Sequence, residues 1–597
     1  MTRRPVQRSA PAAQRPRPAA RQAGGSTEAL SDLSAVETLP REATAAALRP
    51  RQGYAFVWLV GLMLVGLALA WHNRFVQDDA FISFLYARQL VEGAGLTWFG
   101  TRVEGYTNFL WVLWTALGLR IGVDAIAWSY VGGLASFALA IYALWRCARR
   151  LFDHLVPCVL AVLLFVTNYT VSAYATGGLE TMLQTALLCV AVWQLCEQQC
   201  EDTRQPAQLA ALSLALGAAV LTRLDSLLPA ALIFLWLLGQ LVRRRAGWAV
   251  YAYAAVPFAA LTGPWVVWKT LYYGRLLPNS YYAKVGLNSA AHANGILYLD
   301  RFANWYLIWP ILFAGIFAIA VRILLGQPIA RVPRVLPLLW IIIAAWCAYI
   351  VDVGGDFMEF RFIVPIAPWV CLTLAYLADE SVSTQAPALR VATATVVFAV
   401  LAAASYRHAT TFTGMTPDRT LDSIPTLATF YGQYPKGDWA KTGNALRHQV
   451  QAADVSIALH PVGAIPYYSG LATVDMFGMN DLRIPTEGNH APPDYRRPGH
   501  QLQASLKYLK ERGVNLVIGD PHYIKTGAIS RPGNEALAQR LIRSKLSFSH
   551  ESIGDATLVA MPVDSDWSLS IWYLTPHPAI DRLISSGQWE SKHVHVP

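Results

Sequence analysis

Two adjacent carboxylates, Asp78 and Asp79, sit in "RFVQDDAFISFLYARQL", directly after an apolar run long enough to cross a bilayer. A carboxylate so placed can take the proton from an attacking hydroxyl. Acidic residues also cap helices, and "AFISFLYARQL" reads as one, although one cap suffices and two acids are present. Further polar groups stand in a few short loops: Glu104, Glu180, Arg223, Asp225, Asp352, Asp356, Glu359 and Arg361. The stretch "YYGRLLPNSYYAKVG" adds Arg275, Asn279, Tyr281 and Lys284. Arg361, Lys284, Arg223 and Arg275 are suited to an anionic phosphate through charge-assisted hydrogen bonds. Arg223 and Asp225 can equally pair with each other. The two glycines of "VDVGGDFMEFRF" suggest a tight turn beside a ligand, or an ordinary loop between helices. The acidic pair could hold a divalent cation, but no full ligand set can be read, His72 and His154 are isolated, and no cofactor is called for with certainty.

The elements that position these groups are transmembrane helices. Of 597 residues, 54% are hydrophobic and 14% charged, against about 25% charged in a soluble chain. Apolar segments at 54–71, 124–145, 155–173, 179–196, 207–222, 226–242, 248–271, 303–325, 336–352, 362–378 and 389–405 predict eleven spans. The stretch 107–122 is short and aromatic-rich and predicts an interfacial helix. With it on the surface, "RCARR" (146–150), "RRR" (243–245), "RVPR" (331–334) and Arg390 all fall on the cytoplasmic side, as the positive-inside rule requires. The loops carrying the polar groups then share the outer face, and ionisable groups near membrane depth mark functional sites. The net charge of +10 lies largely in the first 50 residues and between apolar segments, which argues against nucleic acid. Residues 1–50, rich in Pro, Ala and Arg, read as a disordered cytoplasmic tail, and the first apolar helix as retained rather than cleaved.

The fold expected is therefore a polytopic α-helical membrane domain over residues 51–405, with a periplasmic loop at 72–123. A periplasmic α/β domain follows at 406–597, where "ADVSIALHPVGAIPYYSGLATVDMFGMND", "SLKYLKERGVNLVIGD" and "ATLVAMPV" alternate strands and helices. It has neither a GxGxxG motif nor a P-loop, and "PGHQ" and His460 are weak hints of a site. It reads as an accessory domain shaping acceptor access. None of the seven cysteines falls in it, so no disulfide framework holds it. An outward-facing membrane enzyme lacks nucleotide-activated substrates, so a lipid-carried group such as a polyprenyl-phosphate sugar fits, with Tyr281, Tyr282 and Trp98 as stacking faces or as an interfacial aromatic belt.

Six segments in order, "QDDAFISFLYARQLVEGAGLTWFGTRVEGYTNFLW", "GGLETML", "LTRLDSLL", "LPNSYYAKVG", "VGGDFMEFRFIVPIAP" and "GAIPYYSGLATVDMFGMND", carry a resemblance to the GT-C class of polyprenyl-phosphate-dependent glycosyltransferases. Within it, the chain is similar to the bacterial terminal β-(1→2) arabinofuranosyltransferase family, from about residue 54 to beyond 480. The resemblance implies transfer of D-arabinofuranose from a polyprenyl-phosphate donor to a cell-envelope glycan, at the periplasmic face of the bacterial inner membrane. It also implies that Asp78 or Asp79 is the catalytic carboxylate and that Glu180, Asp356 and Arg361 line the cavity. Transfer of another polyprenyl-linked sugar to a protein such as pilin, or to lipid A, is the nearest alternative. A lipid or polysaccharide transporter would show internal repeats and midplane polar groups, and a membrane scaffold would leave the acidic cluster unexplained.

Overall fold

The computed structural model describes residues 52–200, 206–243, 247–284, 289–329, 332–430, 438–492, 495–549 and 551–597; the predicted tail at 1–50 lies outside them. The membrane part opens with α1 (Gln52–His72), then α2 (Ala80–Val91), α3 (Phe109–Arg120), α4 (Ala125–Leu151), α5 (Leu155–Val166) and α6 (Tyr169–Ala173). Next come α7 (Thr181–Cys200), α8 (Pro206–Thr222), α9 (Leu227–Arg243), α10 (Trp248–Tyr273), α11 (Asn279–Lys284) and α12 (Ser289–Trp305). It closes with α13 (Ile308–Leu324), α14 (Val335–Val353), α15 (Ala367–Ser381) and α16 (Pro387–Thr411).

Among the described residues, seven helical segments are long and apolar enough to span a bilayer: α1, α4, 224–243, α10, α14, 361–381 and α16. The pair α12–α13 makes an eighth, bent by 73°, with Leu307 left-handed at the break (φ 52°). The other three predicted spans also fold as helices but differ from the expectation. The segment 155–173 is broken into α5 and α6, because Asn168 leaves the helix and caps α6 through Val171 N. Helices α7 and α8 stack between α4 and α10, where protein neighbours rather than lipid receive polar side chains. The interfacial prediction at 107–122 corresponds to α3, whose twelve residues reach about 18 Å, short of a bilayer core of about 30 Å.

The bundle has two polar ends. From Glu180 at the start of α7 to Glu197 near its end is about 25 Å of helix. Glu197 meets Arg146 (2.7 Å) and Arg150. At the same end Arg322 pairs with Glu380 (3.0 Å) and Arg390 with Asp379 (2.6 Å). Arg146, Arg150, Arg322 and Arg390 thus lie at one end, and the candidate site at the other.

Past α16 come α17 (Ile424–Thr429) and α18 (Trp439–Gln449), then a six-stranded sheet. Its strands are β1 (Ser456–Leu459), β2 (Ala472–Asp475), β5 (Leu516–Lys525), β6 (Gly554–Pro562), β7 (Trp567–Tyr573) and β8 (Glu590–Val596), in the order β2-β1-β5-β7-β6-β8. A two-stranded ladder of β3 (Asn489–His490) and β4 (Leu502–Gln503) stands apart. β2, β1 and β5 are parallel, with α19 (Ala464–Ser469) crossing from β1 to β2, whereas β5, β7, β6 and β8 pair antiparallel. Val455, Ile457, Leu459, Leu516 and Ile518 pack in one apolar cluster with Leu85, Tyr86, Trp98 and Val103, so the sheet shares a core with α2 and the loop that follows it.

Candidate active site

A cavity of about 470 Å³ opens where helix ends of the bundle meet the C-terminal domain. Its wall combines the start of α2 (Asp79, Ile82, Ser83), the loop 105–108, Leu179 and Glu180, Arg223, Ser280 and Tyr281, and Asn294 of α12. Tyr349, the loop 352–357 and Arg361 complete the bundle side, and Met479, Pro498, Gly499 and Gln501 contribute from the C-terminal domain. The turn 354–355 follows its sequence signal: Gly354 and Gly355 are both left-handed (φ 81° and 75°), a pair of conformations only glycine adopts readily.

The two arginines of the cavity differ in what remains free. Arg223 donates from Nη1 to Glu180 Oε1 (2.7 Å) and from Nη2 to Asp225 Oδ2 (2.7 Å), so two carboxylates occupy it. Asn108 Nδ2 donates to the second oxygen of Glu180 (2.6 Å) and Gln184 Nε2 to Asp225 Oδ1 (2.6 Å), which locks that network. The expectation that Arg223 and Asp225 pair with each other therefore describes the geometry, and phosphate binding by Arg223 does not fit it. Arg361 meets Asp356 through Nε alone, at 2.7 Å and off the hydrogen-bond axis. Its terminal nitrogens make no hydrogen bond among the described residues, while its guanidinium stands over the Phe362 ring (5.2 Å). That leaves the planar fork of Arg361 without a hydrogen-bonded partner among the described residues, in the cavity wall.

Phe360 explains how adjacent residues diverge here. It is left-handed (φ 44°), a conformation that costs a bulky residue about 1–2 kcal/mol. Its buried ring is held among Tyr298, Phe302 and Trp305 at 5.2–5.4 Å. The reversal sends Arg361 to the cavity and Glu359 into the core. Glu359 is fully buried, pairs with His408 Nε2 (2.8 Å) and accepts from Ile424 N (2.7 Å). The expectation of Glu359 as a cavity residue is corrected: it fastens α16 and α17 to the loop.

The aspartate pair is divided in the same way. Asp79 lines the cavity; it occupies the N-cap position of α2, yet its side chain makes no capping bond. Asp78 is buried and does not line the cavity. Its Oδ2 accepts from Gly463 N (3.1 Å) and its Oδ1 from Ala464 N (2.8 Å), so it caps α19 of the C-terminal domain rather than the helix that follows it. Burial raises its pKa to about 7 against the pull of those N–H groups, with Asp79 adding to the rise. Of the two, Asp79 alone belongs to the cavity wall.

Several other predicted residues serve the frame. Glu104 is buried against Lys269 Nζ (2.7 Å), and its carbonyl accepts from Asn279 N (2.9 Å); it is not in the cavity wall. Asn279 Nδ2 donates to the carbonyls of Gly478, Met479 and Asp481 at 2.8–3.0 Å, and Arg275 Nη1 donates to Asn279 Oδ1 (2.9 Å) while its guanidinium covers Tyr282. Both residues hold the loop 478–481 instead of facing a donor. Tyr281 does line the cavity and is half exposed. The Lys284 side chain lies outside the described residues. Trp98 is buried with its indole N–H on Thr473 O (2.7 Å), and His460 is buried in the C-terminal domain beside Gln503. Among the described residues, no group of three His, Cys, Asp or Glu side chains is placed to hold a metal ion. Asn108, Asn294 and Tyr349 were not singled out by sequence; Asn108 stands inside "RVEGYTN", where an amide two residues after an aromatic gives no distinctive signal.

A model of the Alg9-like mannosyltransferase family matches residues 126–429, and one of a domain of unknown function matches 427–568. No curated protein matches the sequence. Among solved structures, ArnT from Cupriavidus metallidurans bound to undecaprenyl phosphate is similar over 88% of this chain and 100% of that one, at 13% identity and a TM-score of 0.51. The same enzyme in its apo state gives 14% identity and 0.48 over the same shares. The Archaeoglobus fulgidus oligosaccharyltransferase tethered to an acceptor peptide gives 11% and 0.47, over 86% of this chain and 74% of that one. The likeness to the first of these shows a shared GT-C fold. With the family model spanning just over half of its length, the chain belongs to the Alg9-like mannosyltransferase family and is a multi-pass membrane glycosyltransferase.

Proposed function

We propose that the protein transfers a sugar from a polyprenyl-phosphate donor to a cell-envelope glycan at the periplasmic face of a bacterial inner membrane. The observation that carries this is the sharing of one cavity by the open fork of Arg361 and the carboxylate of Asp79. The donor phosphate seats on the terminal nitrogens of Arg361, where charge-assisted bonds stabilise the leaving group. An acceptor hydroxyl gives its proton to Asp79 as its oxygen bonds to the anomeric carbon. The bond from that carbon to the phosphate oxygen breaks, and polyprenyl phosphate leaves. Glu180 and Arg223 shape the wall, and Tyr281 offers a ring face at its rim. The ArnT neighbour, whose structure holds undecaprenyl phosphate, supports the donor class. Basic residues at the far end of the bundle support an outward-facing cavity.

The ordered motifs favour D-arabinofuranose as the sugar, and the family match favours mannose as a second reading. The test presents the purified protein in liposomes with synthetic polyprenyl-phosphoryl-arabinofuranose and polyprenyl-phosphoryl-mannose, with and without EDTA, and measures release of polyprenyl phosphate in the presence of oligosaccharide acceptors. Consumption of the arabinose donor alone supports the first reading and of the mannose donor alone the second. If neither donor is consumed, the lipid-phosphate reading fails.

A further inference from the structure

Two parts of the cavity wall, the start of α2 (Asp79, Ile82, Ser83) and residues 105–108, each rest on the C-terminal domain at a glycine. At Gly463, which precedes α19, a β-carbon would overlap the carbonyl oxygen of Asp78 and lie 2.5 Å from the Cγ and Oδ2 of that residue. Main chain meets main chain there, at a separation that leaves no room for a side chain. At Gly105 a β-carbon would overlap Asn480 Oδ1 and lie 2.6 Å from Asn480 Cγ. Asn480 is itself fixed, because its N and Nδ2 both donate to Asp475 Oδ2 (2.9 Å each). The two contacts flank β2: α19 leads into the strand, and Asp475 ends it.

The Gly463 contact reaches Asp79 through a rigid path. The Asp78 carbonyl that Gly463 approaches also accepts from Phe81 N (3.0 Å), while the carbonyls of Gln77 and Asp79 accept from Ala80 N (3.1 Å) and Ile82 N (3.2 Å). The contact therefore bears on the first turn of α2. Asp79 N donates to Gln77 Oε1, and Gln77 N donates to Gly177 O (3.1 Å), so the main chain of Asp79 does not shift alone. Phe81 and Arg88 continue the seat along one face of α2. Phe81 packs on the rings of Tyr467 and Tyr468 (5.4 and 5.6 Å). Arg88 Nη1 donates to Tyr467 O (2.6 Å), with its guanidinium over the Tyr467 ring (4.5 Å). Successive side chains at a helix diverge by about 100°, so drawing Asp78 into this seat turns Asp79 to the cavity.

We propose that Gly463 is a positioning residue for transfer: its close approach to Asp78 seats the start of α2 on the C-terminal domain and so holds the Asp79 carboxylate in the cavity. That domain is then part of the active site and not only an accessory to it. The role in transfer rests on the transferase reading above. The test uses the full-length protein in liposomes with the lipid-linked sugar that the wild type consumes. Hydrogen exchange of the peptide spanning 463–469 is read alongside and needs no sugar. Gly463→Ala wedges the seat apart, and a reacting group misplaced by about 1 Å costs about 10²-fold. Its kcat falls about 10- to 100-fold while KM for the donor, which Arg361 holds, stays within about twofold; exchange at 463–469 quickens. Arg88→Met loosens the same seat without a clash and gives the same split with a smaller fall in kcat, and it carries the test if Gly463→Ala does not fold. An unchanged kcat, a donor KM that rises as kcat falls, or unchanged exchange at 463–469 overturns the proposal. A wild type that consumes no lipid-linked sugar sinks the transferase reading and the role in transfer with it; quickened exchange in the variants separates that failure from failure of the seat.

Discussion

Replacing Asp78 by Asn separates the two members of the aspartate pair through their pH dependence. The Asp78 carboxyl stays protonated in the native protein up to about pH 7, whereas in the unfolded chain it ionises near 3.9. Between those values the native state binds the extra proton, so this group's contribution to stability falls as pH rises, by about 1.4 kcal/mol per unit. From pH 5 to pH 7 that amounts to about 3 kcal/mol. An Asn does not titrate and loses this slope. It also presents an oxygen to only one of the two N–H groups at Gly463 and Ala464, and a buried donor left without an acceptor costs about 1–3 kcal/mol. Asp78→Asn is therefore less stable than wild type by about 2 kcal/mol at pH 5, and the deficit closes or reverses by pH 7. With an unfolding entropy of about 2.1 cal/mol/K per residue over a unit that spans residues 53–597, each kcal/mol moves the melting temperature by about 1 °C, so the difference moves by about 3 °C across the window. Tryptophan fluorescence of both proteins in detergent, melted at half-unit steps of pH, reads it. A deficit that stays constant or grows with pH refutes both the buried-acid description and the role of Asp78 as the cap of α19.

Arg361→Ala lowers kcat/KM for the lipid-linked donor about 10- to 150-fold, the equivalent of one charge-assisted contact of about 1.5–3 kcal/mol; Arg361→Lys recovers part of it, because a point charge replaces a fork. Initial rates across donor concentration check both variants. Glu359→Ala leaves His408 and Ile424 N without their partner and destabilises the protein by about 3–5 kcal/mol, seen in thermal melts, while the folded fraction still binds donor. Asn279→Ala frees the carbonyls of 478–481, and limited proteolysis then cuts near that loop sooner than in wild type.

Periodicity and charge placement made the helices, and a polar cluster set apart from basic residues at the opposite end, legible in the sequence. They also singled out Asp79, Glu180, Asp356 and Arg361, which the fold brings to one cavity. What they could not give is direction. Asp78 and Asp79 are neighbours, as are Glu359, Phe360 and Arg361, and each run has members pointing to opposite sides of a wall. A left-handed residue such as Phe360 is fixed by the aromatic rings around it, which come from α12 and, through His408, from α16. Glu104 and Asn279 read as site residues because they are polar and near the membrane surface, yet their partners, Lys269 and the 478–481 carbonyls, lie far along the chain. Helices α7 and α8 looked like any other span, although protein rather than lipid surrounds them.

The central claim is that Asp79, and not Asp78, is the base. Single-turnover transfer from whichever polyprenyl-phosphate sugar is consumed, with Asp79→Asn and Asp78→Asn compared at pH 7 after each is shown to be folded, tests it most directly. Loss of a positioned base lowers the rate about 10²- to 10⁴-fold in Asp79→Asn, while Asp78→Asn stays within a few-fold of wild type. A wild-type rate in Asp79→Asn, or a collapse confined to a folded Asp78→Asn, contradicts the account.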